Sequence, residues 1–156
     1  MKLVPMSKAR YAVFKRDAIR GYAQAKVDAG IWDELDALDL AQRDHDALLP
    51  HGLKTSDHHL FELLVDGESV GVLWVHTSPD SVIPGAYIYD IEIDAEYYRM
   101  GYGRRAMLAL EDWCAERKLR RIELNVFAAN RPAIRLYEGL DYRPTNFSMQ
   151  KNLQNS

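Results

Sequence analysis

The stretch Ile91-Glu-Ile-Asp-Ala-Glu-Tyr-Tyr-Arg-Met-Gly-Tyr-Gly-Arg-Arg-Ala-Met107 decides the fold of this chain. It begins with alternating apolar and polar side chains, a pattern that is typical of a half-buried strand. Gly101 and Gly103 follow among arginines, and the apolar residues after them recur at helical spacing from Ala106 to Trp113. A strand therefore leads through a glycine loop into a helix.

This loop has the physical properties of an anion-binding site. The first N–H groups of a helix have no partner within it, and the helix dipole adds partial positive charge there. Glycine lets these groups approach a phosphate without an intervening Cβ, and Arg99, Arg104 and Arg105 add full charges. We interpret residues 98–105 as a pyrophosphate site, although Gly-x-Gly alone would equally suit an ordinary strand-to-helix turn.

Two common nucleotide sites do not match the loop. It lacks the Gly-Lys-Ser/Thr of a P-loop for nucleoside triphosphates. A dinucleotide fingerprint has a third glycine, where this chain has Ala106, and an acidic residue on the next strand. The acidic residue available there, Glu123, lies close to Arg120 and Arg121, which makes a poor ribose site.

Composition indicates a soluble globular protein. The 156 residues predict a single domain covering residues 1–156, with 47% hydrophobic and 28% charged residues. The 20 basic and 23 acidic residues give a net charge of −3, which argues against nucleic acid or an anionic membrane as partner. We expect no signal peptide or membrane span. A single cysteine, Cys114, is consistent with a cytoplasmic location.

The N-terminal third predicts an edge strand and two helices. A short strand ends at Pro5, and Ser7 caps a helix that ends near Gly30. A second helix restarts at residues 32–34, with Asp33 as its cap, and stops at Pro50. The side chains assigned to the periodic face of this second helix are Leu35, Leu38, Ala41, His45 and Leu48.

The remaining two thirds predict mostly strands. Asp66-Gly67 is a strong hairpin signal, and Asn130 caps a helix with Pro132 in its first turn. The predicted elements are strands at 59–65, 70–76 and 86–94, a helix at 103–118, a strand at 121–127, a helix from 130 and a strand at 142–149. The order β-α-α-β-β-β-α-β-α-β predicts an α/β layered fold, with a mixed, mostly antiparallel sheet of about 6–7 strands and four helices.

Two motifs, together with this order of elements, make the chain resemble the GNAT superfamily of acetyl-CoA-dependent N-acetyltransferases. The resemblance covers essentially the whole chain. The family motif Gln/Arg-x-x-Gly-x-Gly/Ala corresponds to Tyr98-Arg-Met-Gly101-Tyr-Gly103. The motif Asn-x-x-Ala-x-x-Leu-Tyr-x-x-x-Gly-Phe corresponds to Asn130-Arg-Pro-Ala133-Ile-Arg-Leu136-Tyr137-Glu-Gly-Leu-Asp141-Tyr142. The stretch Tyr22-Ala-Gln-Ala-Lys-Val-Asp-Ala-Gly-Ile-Trp32 is similar to that of a small bacterial subgroup without an assigned substrate. The departures from the motifs that matter most are Tyr98 and Asp141; aspartate tolerates the positive φ that the usual glycine supplies.

The resemblance implies where acetyl-CoA would bind. The strand at 90–94 would diverge from the strand at 121–126, and the backbone of Ile91 and Ile93 would bond the pantetheine arm. Asn130 would reach the pantetheine or acetyl group, and Tyr137 would stand near the thioester sulfur. The pyrophosphate would lie on the loop residues, which are Tyr98, Arg99, Met100, Gly101, Tyr102, Gly103 and Arg104.

The implied reaction is attack of a primary amine on the thioester within a ternary complex. We favour Glu92 as the base, with Asp90 and water as alternatives; both carboxylates would otherwise be ordinary solvated sheet residues. Tyr137 is the candidate proton donor to the thiolate, its alternative role being a packing residue. The acceptor amine would lie near Trp74, His76, Tyr87, Tyr89 and Asp90, although ordinary sheet packing suits each aromatic residue by itself.

The sequence is compatible with two classes of function. The first is an N-acetyltransferase acting on a small-molecule or peptide amine, and the second is a catalytically idle acyl-CoA-binding sensor module. The five histidines, including His58-His59, have no metal-ligand spacing, so no metal is expected, and Cys114 is expected to be a buried packing residue. The sequence is compatible with a homodimer but does not fix the oligomeric state.

Overall fold

The computed structural model describes residues 1–154, which form two compact units that meet in sequence between Asn125 and Val126. The first unit contains β1 (Lys2–Pro5), α1 (Lys8–Asp28), α2 (Ala37–Leu48), β2 (His58–Val65), β3 (Glu68–Ser78), β4 (Gly85–Ile93), α3 (Tyr102–Glu116) and β5 (Arg121–Leu124). The second contains α4 (Arg131–Gly139). No helix within these 154 residues is long and apolar enough to cross a membrane.

The sheet belongs to the first unit and has the strand order β1-β2-β3-β4-β5. Its first three pairings are antiparallel, while β4 and β5 pair in parallel. The predicted mixed, mostly antiparallel sheet is therefore confirmed. The turn between β2 and β3 has positive φ at both Asp66 and Gly67, as expected for an Asp-Gly hairpin.

Each face of the sheet is covered by helix. On one face, Trp74 of β3 and Leu60 of β2 pack with Phe14 of α1 and Leu49 after α2. On the other face, His59 and Phe61 of β2 contact the ring of Trp113 on α3. The buried residues of α3 are Ala106, Met107, Leu110 and Cys114. The side chains of successive residues in β2 thus pack on opposite faces of the sheet, as strand geometry requires.

The start of α1 agrees with the sequence and the start of α2 does not. Ser7 caps α1 by accepting a hydrogen bond from the Arg10 amide at 3.1 Å. The second helix begins at Ala37 rather than near residue 33, because Asp33 accepts from the amide of Leu35 and stabilises a local turn. Leu35 is 89% exposed, and the buried face of α2 consists of Ala37, Ala41 and His45.

The C-terminal strand predicted at 142–149 is wrong, so the described residues form five strands rather than six or seven. Phe147 and Met149 alternate with polar residues, yet they are 79% and 88% exposed. Alternation produces a strand only where a neighbouring strand accepts the backbone hydrogen bonds, and residues 142–154 have no strand assignment. The strand predicted at 121–127 likewise ends at Leu124.

Candidate active site

A β-bulge in β4 decides which side chains share a face. Val75 of β3 pairs with Ile88, but the preceding Trp74 pairs with Asp90, so Tyr89 is an extra residue. The rings of Tyr89 and Trp74 stack at 4.8 Å between centroids. Two residues that follow each other in sequence, Tyr89 and Asp90, therefore both lie on the face of Trp74.

Around this bulge lies a group of rings that we call the aromatic cluster: His58 of β2, Trp74 and His76 of β3, and Tyr87 and Tyr89 of β4. The ring centroids of His58 and His76 are 4.7 Å apart, and those of Tyr87 and Tyr89 are 5.1 Å apart. The indole N–H of Trp74 donates a hydrogen bond to Nδ1 of His58 at 2.9 Å. The structure thus brings together the aromatic residues that the sequence proposed for the acceptor.

The aromatic cluster has a buried end and an exposed end. Trp74 is only 6% exposed, and its ring also contacts Phe14 edge-on and lies 5.8 Å from the ring of His45. His45 is joined to the hydroxyl of Tyr11 at 3.3 Å. Tyr87 and Tyr89 are exposed. A molecule arriving from solvent would therefore meet the tyrosine rings first.

Asp90 has the most unusual electrostatics of the site. Burial raises its pKa to about 7, the neighbouring carboxylate of Glu92 adds to this rise, and a hydrogen bond with the backbone of Ile91 opposes it. Glu92 pairs with Val72 on the same sheet face, but its side chain is exposed. Asp90 therefore changes charge near neutral pH, where an acid–base group is most useful.

Beyond the bulge, β4 extends past its pairing with β5. The β4–β5 ladder ends at Ile88 and Leu124, whereas the β3–β4 ladder continues to Ile93 and Gly71. Residues 89–93 therefore continue after the parallel ladder has stopped. This is the region where the two strands are expected to diverge.

The glycine loop occupies the start of α3. Gly101 is the N-cap, has φ 76°, and provides no side-chain cap for the helix. The amide of Arg105 donates to the carbonyl of Gly101, so the amides of residues 102–104 precede the first helical hydrogen bond. The first turn contains no acidic residue. Among the predicted loop residues, those exposed to solvent are Tyr98, Arg99, Met100, Gly101 and Arg104.

Two further predicted residues belong to the second unit, Asn130 as the N-cap of α4 and Tyr137 within this helix. Asn130 caps this helix as expected, accepting a hydrogen bond from the amide of Ala133 at 3.3 Å. The ring of Tyr137 lies 6.0 Å from that of Tyr142, whose amide donates to the carbonyl of Tyr137. Asp141 has φ 67°, the positive value anticipated for it. The roles of Asn130 and Tyr137 toward acetyl-CoA stay predictions.

Neither a reactive cysteine nor a group of metal ligands is found in the part of the chain that the structure describes. Cys114 is buried, and burial raises the pKa of its thiol to about 11, which makes it inert near neutral pH. Within residues 1–154, no three His, Cys, Asp or Glu side chains are grouped so that they could hold a metal ion.

The sequence does not indicate the contact of His58 with Trp74 or the bulge at Tyr89, because both depend on strand register.

Comparison with known proteins adds a family to this geometry. The model of the acetyltransferase (GNAT) family matches residues 12–142. The uncharacterized N-acetyltransferase YycN of Bacillus subtilis (strain 168) is 36% identical over 152 residues, which is 97% of each chain. A crystal structure of YycN has a TM-score of 0.90 at 35% identity and covers 99% of both chains.

A more distant likeness concerns the fold alone. An aminoglycoside acetyltransferase from an uncultured soil metagenomic sample, crystallised with sisomicin, has a TM-score of 0.60 at 16% identity. The match covers 98% of this chain and 96% of that chain.

Proposed function

Since the chain belongs to the GNAT acetyltransferase family, we propose that it transfers the acetyl group of acetyl-CoA to a cationic primary amine by direct attack in a ternary complex. The observation that carries this proposal is the bulge at Tyr89. It supports an acceptor site because it places a carboxyl group of raised pKa, Asp90, beside the stacked rings of Trp74 and Tyr89.

The glycine loop supports binding of the acetyl-CoA pyrophosphate. Its helix begins with amides that no side chain caps, and Arg99 and Arg104 are exposed nearby. In the proposal, the backbone of Ile91 and Ile93 binds the pantetheine arm, where β4 has run past the end of β5. Asn130 contributes a further contact to that arm or to the acetyl group.

The base of the proposed reaction is Asp90, with Glu92 as a second acidic charge. An ammonium group must lose a proton before its nitrogen can attack, and a base with a pKa near the working pH accepts that proton most effectively. Burial gives Asp90 such a pKa, while Glu92 is exposed and raises the pKa of Asp90 through its charge. The sequence favours Glu92 as the base, and separate substitution of the two carboxylates distinguishes the two assignments.

Each proton of the proposed transfer has a defined source and destination. Asp90 takes a proton from the ammonium, and the nitrogen lone pair forms a C–N bond to the thioester carbon. When the resulting oxyanion collapses, the C–S bond breaks, the thiolate takes a proton from Tyr137, and the nitrogen loses its second proton to solvent. Acetyl-CoA supplies the activated acyl group, water restores the proton of Tyr137, and Asp90 releases the proton that it took to solvent.

The acceptor class follows from the aromatic cluster. A cation beside aromatic faces gains roughly 0.5–2 kcal/mol, and the exposed rings of Tyr87 and Tyr89 offer such faces next to Asp90. We therefore propose an amine that is positively charged before it reacts. Both small-molecule and peptide amines satisfy this chemistry.

A thiol-release assay tests the proposal. Acetyl-CoA is incubated with the protein and a panel of primary amines, and liberated coenzyme A is followed with a thiol reagent. Transfer to cationic amines, with neutral hydroxyl analogues inert, is expected. Acetyl-CoA binding by calorimetry without turnover on any amine would instead indicate the idle binding module.

A further inference from the structure

The hydrogen bond between Trp74 and His58 fixes the protonation of the histidine ring. An indole N–H can only donate, so the Nδ1 atom that it contacts at 2.9 Å must carry a lone pair. His58 is therefore neutral in this arrangement, with its ring proton on Nε2. If His58 gained a second proton, Nδ1–H would face the indole N–H and the bond would be lost.

Loss of this hydrogen bond would destabilise the buried indole of Trp74. Its side chain is buried, and a buried N–H without an acceptor costs roughly 1–3 kcal/mol. Trp74 also stacks on Tyr89 and pairs with Asp90 across the two strands. The orientation of its ring therefore defines one wall of the space beside Asp90.

The surroundings of His58 favour its neutral form. Burial lowers its pKa most, and positive charge on His76 and His59 lowers it further, while Asp57 raises it. Tyr89 approaches from β4, its ring 5.7 Å from that of His58. At neutral pH the bond to Trp74 is accordingly intact, and acidification disrupts it.

We propose, building on the acetyltransferase function above, that His58 is a positioning residue of the acceptor site. Its neutral Nδ1 holds Trp74 against Tyr89 and beside Asp90, so protonation of His58 weakens binding of the acceptor amine. His58 does not touch the reacting atoms; it acts through Trp74.

A matched pair of variants separates the hydrogen bond from the shape of the side chain. His58→Asn keeps an acceptor, because its Oδ1 is attached to Cγ as Nδ1 is, but it does not titrate. His58→Leu has a similar size without an acceptor. We expect the acceptor KM at pH 7.5 to rise about tenfold in His58→Leu, the order expected for one lost hydrogen bond. It should stay within about threefold of wild type in His58→Asn.

The pH dependence provides a second readout. Wild-type acceptor KM should rise at acid pH, below the ordinary pKa of a histidine, whereas His58→Asn should lose this rise and retain the loss of kcat that follows protonation of Asp90. The KM for acetyl-CoA should not change in either variant. His59→Asn is the control, because this neighbour faces Trp113 on the opposite side of the sheet and contacts Thr77.

A measurement without turnover tests the geometry itself. Nitrogen NMR of the histidine rings should show His58 with its proton on Nε2, and the indole N–H resonance of Trp74 should shift with His58 as the pH falls. Trp32→Phe and Trp113→Phe assign that resonance. If His58→Leu does not fold, Trp74→Phe removes the same hydrogen bond, and the titration of His58 should then move toward that of an ordinary histidine.

The outcomes separate this inference from the proposed function. Wild-type transfer together with an unchanged acceptor KM in His58→Leu would overturn the positioning role and leave the acetyltransferase proposal standing. A ring proton on Nδ1 of His58 would overturn it independently of any assay. Failure of the wild-type protein to acetylate any amine is the separate result that counts against the proposed function.

Discussion

Tyr89 and Asp90 are adjacent in sequence and yet lie on the same face of the sheet, because Tyr89 is the extra residue of a β-bulge. Without the bulge, one of them would face α1 and α2 and the other would face α3. The ring and the carboxyl group therefore share one environment. Burial in that environment is the main cause of the raised pKa of Asp90.

The first prediction concerns Asp90→Asn. If Asp90 accepts the proton of the amine, kcat at pH 7.5 should fall by about 10²-fold or more, while the affinity for acetyl-CoA stays within a few-fold. Steady-state kinetics and calorimetry measure the two quantities. The deficit should shrink at high pH, where more of the amine is already deprotonated.

Glu92→Gln is the matched comparison. Because the charge of Glu92 raises the pKa of Asp90, its removal should move the acid limb of the kcat/KM profile to lower pH and leave the plateau within a few-fold. A loss of 10²-fold in Glu92→Gln beside a nearly active Asp90→Asn would reverse the assignment. Glu92 would then be the base, as the sequence alone favours.

The second prediction concerns stability, and its sign follows from the raised pKa. Folding lifts the pKa of Asp90 from 3.8 to about 7, so the native state binds more protons than the unfolded state between these values. Stability therefore falls as the pH rises through this window. Three pKa units correspond to about 4 kcal/mol as an upper figure.

Asp90→Asn should consequently be more stable than wild type at pH 8, by on the order of 2 kcal/mol, and should show little gain near pH 4. Urea unfolding at the two pH values measures the difference. An equal change at both pH values would mean that the ionisation of Asp90 contributes nothing to it.

The third prediction concerns the glycine loop. Gly103→Val adds a branched side chain in the first turn of α3, where the amides would meet a phosphate, and should weaken acetyl-CoA binding at least tenfold. Gly101→Val should do the same, with an added loss of stability because Gly101 has φ 76°. Calorimetry measures affinity, and circular dichroism checks the fold.

Gly21→Val is the control for helical strain in this series. Gly21 lies in α1, and an added Cβ there meets no atom within 4 Å apart from its chain neighbours and the adjacent backbone of its own helix. Its affinity for acetyl-CoA should equal that of wild type. Unchanged affinity in both loop variants would remove the pyrophosphate assignment.

Sequence predicted well those features that depend on short-range patterns. The Asp66-Gly67 hairpin, the Ser7 and Asn130 caps and the helix after the glycine loop each follow from a few neighbouring residues, and all are present. The positive φ of Asp141 was foreseen for the same reason, since it replaces a motif glycine at a helix end.

Features that depend on register or on distant partners were missed. Nothing in the alternation of 86–94 marks the extra residue Tyr89, because a bulge exists only relative to the partner strand. His58 does begin a strand, β2, but the contact of its Nδ1 with the indole of Trp74 depends on strand register and has no signal in the sequence. The strand expected at 142–149 required a neighbour that the local pattern does not specify.

The last prediction concerns Tyr137, whose role rests on the family motif and on the chemistry of the leaving group. Tyrosine has an unperturbed pKa of about 10, so at neutral pH it can give a proton or hydrogen bond to a departing thiolate. Tyr137→Phe keeps the ring that contacts Tyr142 and removes only the hydroxyl. We expect kcat to fall about tenfold or more, with acetyl-CoA affinity within a few-fold of wild type.

A leaving-group series distinguishes proton donation by Tyr137 from packing. If Tyr137 assists the thiolate, Tyr137→Phe should lose less activity with an acetyl thioester of a more acidic thiol, since that thiolate needs less help to depart. Tyr142→Phe is the matched control, because it removes the hydroxyl of the neighbouring ring and should leave kcat within about twofold. Unchanged kcat with a lowered Tm in Tyr137→Phe would make Tyr137 a packing residue, and the proton would then come from water.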